Sequence, residues 1–354
     1  MHRPASPPAT ILPAGAGAAL TEQAAAVRAD EVGAALAEHF GLGGTLERLT
    51  GERDTNFGLL GADGQRFVVK LSHPAEPAAA VTAQTRALAH VAHRDPTLPT
   101  QRLVAARDGR PQVQVTLRGC ERCLRVFAFL PGVLLRDVAV SVELAAALGA
   151  VLARLGCALR SFDDPAADQV LLWDLKRAAE LRSLLPVLDG DPLRAALQAT
   201  FDRFDTRVAG PLGDRPQQAI HADFNPYNVL VDPGLPVVTG VLDFGDMVVA
   251  PVVCDVAVGA SYLLTAADPF AVVAAFVAGY RAVRPLEPVE LRLLPDLMAT
   301  RQAMTVLITE WRARSHPDNA AYILRNNPAA RRGLALLDDA GRAALTARLS
   351  ALAG

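Results

Sequence analysis

Polar and apolar positions along this chain change period several times. In "LTEQAAAVRADEVGAALAEHFG", residues 20 to 41, apolar residues recur every three or four positions and a glycine follows, which predicts a helix. From about residue 40 the spacing shortens. "GTLERLTGERDTNFGLLGADGQRFVVKLSH" alternates short apolar runs with turn residues, so Phe57 to Leu60 and Arg66 to Leu71 read as strands around a tight turn at Ala62-Asp63-Gly64. "AAAVTAQTRALAHVAHR" returns to helical spacing. "RLVAARDGRPQVQVTL" predicts a second hairpin, around Asp108-Gly109, and "CLRVFAFLPG" a strand that stops at Pro131-Gly132. Strands, helix and strands over residues 40 to 130 make a small α+β unit.

Beyond Gly132 the pattern is helical, most clearly in "VSVELAAALGAVLARLGCALRSF", with one strand-rich island, "AIHADFNPYNVLVDPGLPVVTGVLDFGD". Within it Val229 to Val231 and Val237 to Leu242 flank a turn at Asp232-Pro233-Gly234. The expected organisation is a tail over residues 1–22, a small sheet-bearing lobe over 23–130, and a larger, mostly helical lobe over 131–354 that carries one functional hairpin. A length of 354 residues suffices for two lobes with filled cores.

Charge narrows the function. With 35 Lys+Arg against 37 Asp+Glu the net charge is −2, and no basic block offers nucleic acid a face. The apolar runs are interrupted by Arg, Asp or Pro before reaching bilayer length, and prolines break the first twenty residues where a secretory signal needs an unbroken apolar core, so the expectation is a cytoplasmic protein without a membrane partner. The four cysteines, Cys120, Cys123, Cys157 and Cys254, make no disulfide framework, and the C-x-x-C of "GCERC" has no second ligand pair near it to complete a zinc site.

Phosphoryl transfer needs a cover over the phosphates, a cation on their oxygens, a divalent metal on hard oxygen ligands, and a carboxylate for the acceptor hydroxyl. The sequence supplies a candidate for each. His221, Asp223 and Asn228 in "HADFNPYN" keep the kinase spacing H-x-D-x-x-x-x-N, in which the aspartate serves the acceptor and the asparagine a Mg²⁺. The hairpin that follows returns Asp243, in "LDFGD", beside the same loop as a second metal ligand. Lys70 closes the strand "FVVKL". "GERDTNF", with Arg53 and Asn56, lies in the turn between the first two strands as phosphate cover.

Together, "GERDTNF", "FVVKLS", "HADFNPYNVLVD" and "VLDFGDM" resemble the aminoglycoside phosphotransferase and choline kinase superfamily, and within it the hydroxylysine kinase branch, which also occurs fused to class III aminotransferases. The likeness runs from about residue 40 to the C-terminus. It implies a protein-kinase-like bilobal fold, Asp223 as catalytic carboxylate, Asn228 and Asp243 as metal ligands, Lys70 on the phosphates, and His221 as a brace. Nucleotide would lie against the hinge near Phe129 and Leu130, with Mg²⁺ and ATP or GTP as co-substrate. The implied acceptor is an amino alcohol or hydroxylated amino acid, 5-hydroxylysine first. An aminoglycoside, choline, ethanolamine or homoserine is the alternative, as is an inactive nucleotide-binding module.

Two departures stand out. The helix position that pairs with the strand lysine in kinases aligns with Gln84, an amide, which leaves Gln84 or Glu76 as the expected partner of Lys70. Asn225 stands where protein kinases usually carry lysine, and no A-P-E segment follows. Asp246 reads equally as a site carboxylate or a turn cap. For the acceptor, "ATRQAMTVLITEWRARSHPDNAAYIL" offers Arg301, Thr305, Glu310, Trp311 and Arg312, against the plainer reading of solvated charges around a core tryptophan. Asp255 is expected to brace the catalytic loop, and Trp173 and Lys176 carry no assigned chemistry. Neither G-x-G-x-x-G after a strand nor G-x-x-x-x-G-K-[ST] occurs, which argues against a dinucleotide-binding or Walker-type enzyme. Oligomeric state is not legible.

Overall fold

A computed structural model describes residues 26–51 and 53–353. The expected tail over residues 1–22, the first residues of the first predicted helix and Glu52 lie outside the described residues. Five antiparallel strands, β1 (Gly44–Leu49), β2 (Thr55–Gly61), β3 (Arg66–Leu71), β4 (Val113–Leu117) and β5 (Cys120–Ala128), form a sheet in the order β1-β2-β3-β5-β4. Strand alternation sends Phe57, Leu59, Val69, Leu71, Leu124 and Val126 into one small core, where Val32 and Leu36 of helix α1 (Ala29–His39) meet them. Helix α2 (Ala78–Arg94) behaves differently. Its apolar face, Ala83, Ala87, Leu88 and Val91, joins the core of the large lobe. Strand β5 is therefore buried along most of its length, which explains how Arg125 comes to lie at 2% exposure.

The hairpin expected around Asp108-Gly109 differs in the structure. A turn is present there, with the Ala106 amide donating to the Arg110 carbonyl at 2.8 Å, but the preceding residues contribute only an isolated bridge from Leu103 to Phe127. The hairpin partner of β4 is β5, joined through Arg118 and Gly119 at φ of 55° and 73°. Two successive left-handed residues are what a tight hairpin between twisted strands requires.

Strand β6 (Val133–Leu134) opens the large lobe just beyond the end of β5 and pairs with β8 (Val229–Val231), which pairs with β9 (Val238–Val241). Strands β7 (Gln217–Ile220) and β10 (Val248–Pro251) form a second small ladder. Around them pack α3 (Val142–Leu159), α4 (Arg194–Arg203), α5 (Val252–Tyr262), α6 (Pro269–Val283), α7 (Pro288–Ser315), α8 (Asn327–Leu336) and α9 (Asp339–Ser350). α3 departs from the expectation that apolar runs fall short. Eighteen residues at mean hydropathy 1.8 make it long and apolar enough to cross a membrane by composition, yet Leu144, Leu148, Leu152 and Leu155 are buried in the large core.

α3 and α6 approach to backbone contact through two glycines. A Cβ on Gly149 would sit 1.9 Å from the Phe276 carbonyl oxygen, and one on Gly279 would sit 2.0 Å from that of Ala146. Gly149→Ala is therefore expected to lower unfolding free energy by about 1–3 kcal/mol despite alanine's better helix propensity. Gly156→Ala, facing the ends of two side chains, Arg284 at 3.3 Å and the Tyr280 hydroxyl at 3.6 Å, rather than backbone, is expected to be neutral or slightly stabilising. Urea melts of the two variants followed by circular dichroism check the contrast.

Candidate active site

The loop from His221 to Asn228 connects β7 to β8 and is held from below. Asp255, in the first turn of α5, accepts the backbone amides of His221 at 3.1 Å and Ala222 at 2.8 Å. This is the brace expected of Asp255, and it holds Ala222 at φ 60°, a conformation that costs a side-chain-bearing residue energy. The His221 ring completes the support. Nε2 lies 2.9 Å from the Leu242 carbonyl, and Nδ1 accepts the Asp223 amide at 3.2 Å, so the proton sits on Nε2.

The Asp223 carboxylate that results is heavily bonded. Asn225 Nδ2 donates to Oδ1 at 2.7 Å and Asn228 Nδ2 to Oδ2 at 2.6 Å, while Arg301 Nη2 stands 3.5 Å from Oδ1. Burial in the cleft pushes this carboxyl well above its ordinary range, Asp246 adds to the shift, and Arg301 and the Asn225 amide oppose it. Asn228 also donates Nδ2 to the Asp223 carbonyl at 3.1 Å. Both bonds use the same nitrogen, which leaves its amide oxygen as the group offered to a ligand.

Asp243 follows β9 at φ 61°. Its Oδ1 accepts Lys70 Nζ at 3.0 Å and the Gly245 amide at 3.0 Å, and its own amide donates to Gln101 at 3.0 Å. Burial works to raise this carboxyl, but the Lys70 and Arg53 charges outweigh it and hold it well below the usual range. Lys70 spans the lobes, with Asp243 on one side and Asp54 Oδ2, 3.1 Å away, on the other. Burial works against the ammonium, and Asp243 and Asp54 together overcome it, so its pKa is raised.

The expected partner of Lys70 needs correction. Neither Gln84 nor Glu76 fills that place. Gln84 accepts from Arg125 Nη1 at 3.1 Å, and Asp54 takes the lysine. Arg53 reaches into the same space, where Nη2 meets Asp246 Oδ1 at 2.5 Å across 193 positions of sequence. Asp246 thus lines the cavity at 8% exposure with its carboxylate tied to Arg53. Asn56 lines the same space with its buried Oδ1 unpartnered.

These groups enclose a cavity of about 410 Å³. Its small-lobe end is lined by Arg53, Asp54, Asn56 and Lys70, and its floor by Asp223, Asn228, Asp243 and Asp246. The far end is basic and aromatic. Arg301 lies over the Trp173 ring, 4.8 Å from its centroid, and Arg325 lies between the rings of Tyr227 and Tyr322 at 4.8 and 3.8 Å. Arg136, Tyr262 and Arg312 also line it.

Four further expectations change. On α7 the residues reaching the cavity are Arg301, Thr305, Thr309 and Arg312, one face at helical spacing. Trp311 falls on another face, buried in the core, and Glu310 is tied to Arg331 at 2.8 Å outside the cavity. Phe129 and Leu130 are absent from the lining. The Phe129 ring is covered by the Arg66 guanidinium at 3.6 Å and its amide is spent on the Arg66 carbonyl. Trp173, assigned no chemistry, faces the cavity, whereas Lys176 donates to the Val249 carbonyl at 2.5 Å. Among the described residues no group of three His, Cys, Asp or Glu is placed to hold a metal ion, and the Cys120-Cys123 pair lies on β5 with both thiols free.

Comparison with known proteins places this geometry. The sequence profile of the phosphotransferase enzyme family matches residues 45–294. Hydroxylysine kinase of Danio rerio is 24% identical over 309 residues, covering 82% of this chain and 85% of that protein. Among solved structures, a microcompartment-associated aminopropanol kinase superposes with TM-score 0.63 at 19% identity, over 87% of this chain and 96% of the other. An amicoumacin kinase solved with AMP-PNP, Ca²⁺ and its Ami ligand gives TM-score 0.63 at 15% identity, over 85% and 92%. The two structural likenesses show the kinase-like bilobal fold.

Proposed function

The chain belongs to the phosphotransferase enzyme family, and from that premise we propose that it transfers the γ-phosphate of ATP or GTP to the hydroxyl of a small hydroxylated amino acid, 5-hydroxylysine being the first candidate. The observation that carries the reading is one cavity. It gathers Lys70, Asp223, Asn228 and Asp243 from both lobes at one end and arginines at the other. In this reading residues 23–130 form the nucleotide-binding lobe and 131–354 the catalytic and acceptor lobe, with the hinge between β5 and β6.

Each role follows from an atom's freedom. Asp223 orients the acceptor hydroxyl and takes its proton as the oxygen bonds to the γ-phosphorus and the bond to the β-phosphate oxygen breaks. Lys70 contacts the phosphates, and Arg53 and Asn56 lie in the loop over them. Asn228 through its amide oxygen and Asp243 through its carboxylate fit Mg²⁺, which takes hard oxygens and accepts one or two protein ligands when phosphates supply others. Bound there, the ion neutralises charge on the phosphate oxygens.

The far end favours an acceptor with a carboxylate. Arg301, Arg312 and Arg325 line it, with Asp223 3.5 Å from Arg301 where the two ends meet. An aminoglycoside or choline brings cationic groups and no carboxylate to these arginines; an amino acid brings a carboxylate that a guanidinium fork can hold. The test is nucleoside diphosphate release with Mg²⁺ and either ATP or GTP, using hydroxylysine, homoserine, ethanolamine, choline and an aminoglycoside. The expected outcome is turnover with a carboxylate-bearing acceptor and little with the others; turnover confined to choline or the aminoglycoside overturns the acceptor assignment. Arg301→Lys keeps a charge beside Asp223 but loses the fork, and is expected to raise the acceptor KM about tenfold.

A further inference from the structure

Lys70 and Arg125 are direct partners in the β3–β5 register. Two cations opposite each other on adjacent strands repel, and both are drawn out of water here, so the pair needs a carboxylate between them. Helix α2 does not supply it, because the residue it presents is Gln84, whose amide oxygen is committed to Arg125 Nη1 at 3.1 Å. The carboxylate comes from the loop over the phosphates. Asp54 Oδ2 lies 3.1 Å from Lys70 Nζ and 3.8 Å from Arg125 Nη2, and its Oδ1 accepts the His73 amide at 3.0 Å, which fixes the plane of the group.

We propose that Asp54 is the positioning residue for Lys70, doing from the phosphate-covering loop what a helix carboxylate does elsewhere, with Arg125 as the second cation it faces. The inference rests on the kinase reading, in which Lys70 meets phosphate. Of the two carboxylates on Lys70, Asp243 is in that reading the one that would hold the metal when nucleotide binds. Asp54 is then the anion left to hold Nζ toward the phosphates. Because Asp54 belongs to the segment that lies over the nucleotide, loop placement and lysine orientation become a single event. α2, whose apolar face is anchored in the large-lobe core, need not move to align the lysine.

Binding of Mg·ATP and Mg·GTP by calorimetry tests this without an acceptor. Lys70→Ala and Asp54→Asn are each expected to weaken binding about tenfold or more, the scale of one charge-assisted contact. The double variant is expected to bind no more weakly than Lys70→Ala alone, because the aspartate acts through the lysine. Asp54→Glu should recover most of the affinity, and Gln84→Ala should leave it within about twofold while lowering the melting temperature through the loss of the Arg125 contact. Wild-type affinity in Asp54→Asn beside a weakened Lys70→Ala overturns the proposal alone, as does a double variant whose losses multiply, the mark of a merely structural aspartate. Failure of the wild-type protein to bind either nucleotide overturns the kinase reading, and this proposal with it.

Discussion

Asp223→Ala is expected to lower kcat by about 10²–10⁴-fold, the range a positioned general base supplies, while nucleotide affinity stays within about threefold. The separation follows from which atoms the substitution removes. The carboxylate proposed to meet the acceptor hydroxyl goes, together with the acceptor for Asn225 Nδ2 and one of two acceptors for Asn228 Nδ2. The second acceptor of Asn228 is the carbonyl of residue 223 itself, at 3.1 Å, and alanine retains it. The Asn228 amide oxygen, the atom proposed for Mg²⁺, therefore keeps its direction. The loop also keeps its fold, because its amides are held by Asp255 and its turn by His221, neither of which touches the lost side chain except through backbone. Arg301 loses an anion 3.5 Å away but still donates to the Trp173 carbonyl at 3.1 Å and covers the Trp173 ring. Single-turnover nucleoside diphosphate release beside calorimetric titration with Mg·nucleotide reads the two quantities separately. A kcat within tenfold of wild type removes Asp223 from the role of base.

The features legible in the amino-acid sequence are the local ones. Strand alternation and helical period depend on neighbours within one element, and so does the spacing of Asp223 and Asn228 around one loop, so the chain itself announces a sheet-bearing segment, a mostly helical one and the loop that carries these two residues. The return of Asp243 is legible because a short hairpin has few ways to end. Pairings between elements are not. Arg125 becomes the neighbour of Lys70 through a five-strand order that puts β5 beside β3, and nothing near Arg125 in the chain signals it. Asp54 and Lys70 are well separated in the chain, and their contact depends on where the loop after β1 folds back. The phase of α7 is hidden for a related reason. Arg301, Glu310, Trp311 and Arg312 share one helix, and only packing decides that Arg301 and Arg312 face the cleft while Trp311 enters the core. The spacing Arg301, Thr305, Thr309, Arg312 is nevertheless a signal, a row of polar residues at helical intervals, and it marks the face directed at the cavity.

Asp243→Ala is expected to lower kcat/KM by about 10²–10³-fold at fixed Mg²⁺, the equivalent of the several kcal/mol that a bound metal contributes to phosphoryl transfer, and to raise the Mg²⁺ concentration needed for half-maximal rate. Lys70 loses one of its two carboxylates but keeps Asp54 at 3.1 Å, and the segment after β9 keeps the Gln101 contact to its amide, so the fold is expected to survive with the metal site weakened. Asp243→Asn refines the result. Asparagine tolerates the left-handed backbone at φ 61° and preserves an oxygen ligand without its charge, so the Mg²⁺ requirement should rise less than in the alanine variant. Titration of Mg²⁺ against nucleoside diphosphate release measures both. An unchanged Mg²⁺ requirement in both variants would move the ligand role to Asp246, whose carboxylate lines the same cavity and is held 2.5 Å from Arg53. In that case Asp246→Asn should reproduce the shift in Mg²⁺ requirement, because a site with two candidate carboxylates must lose its charge-based affinity when the true ligand is neutralised and keep it when the other is.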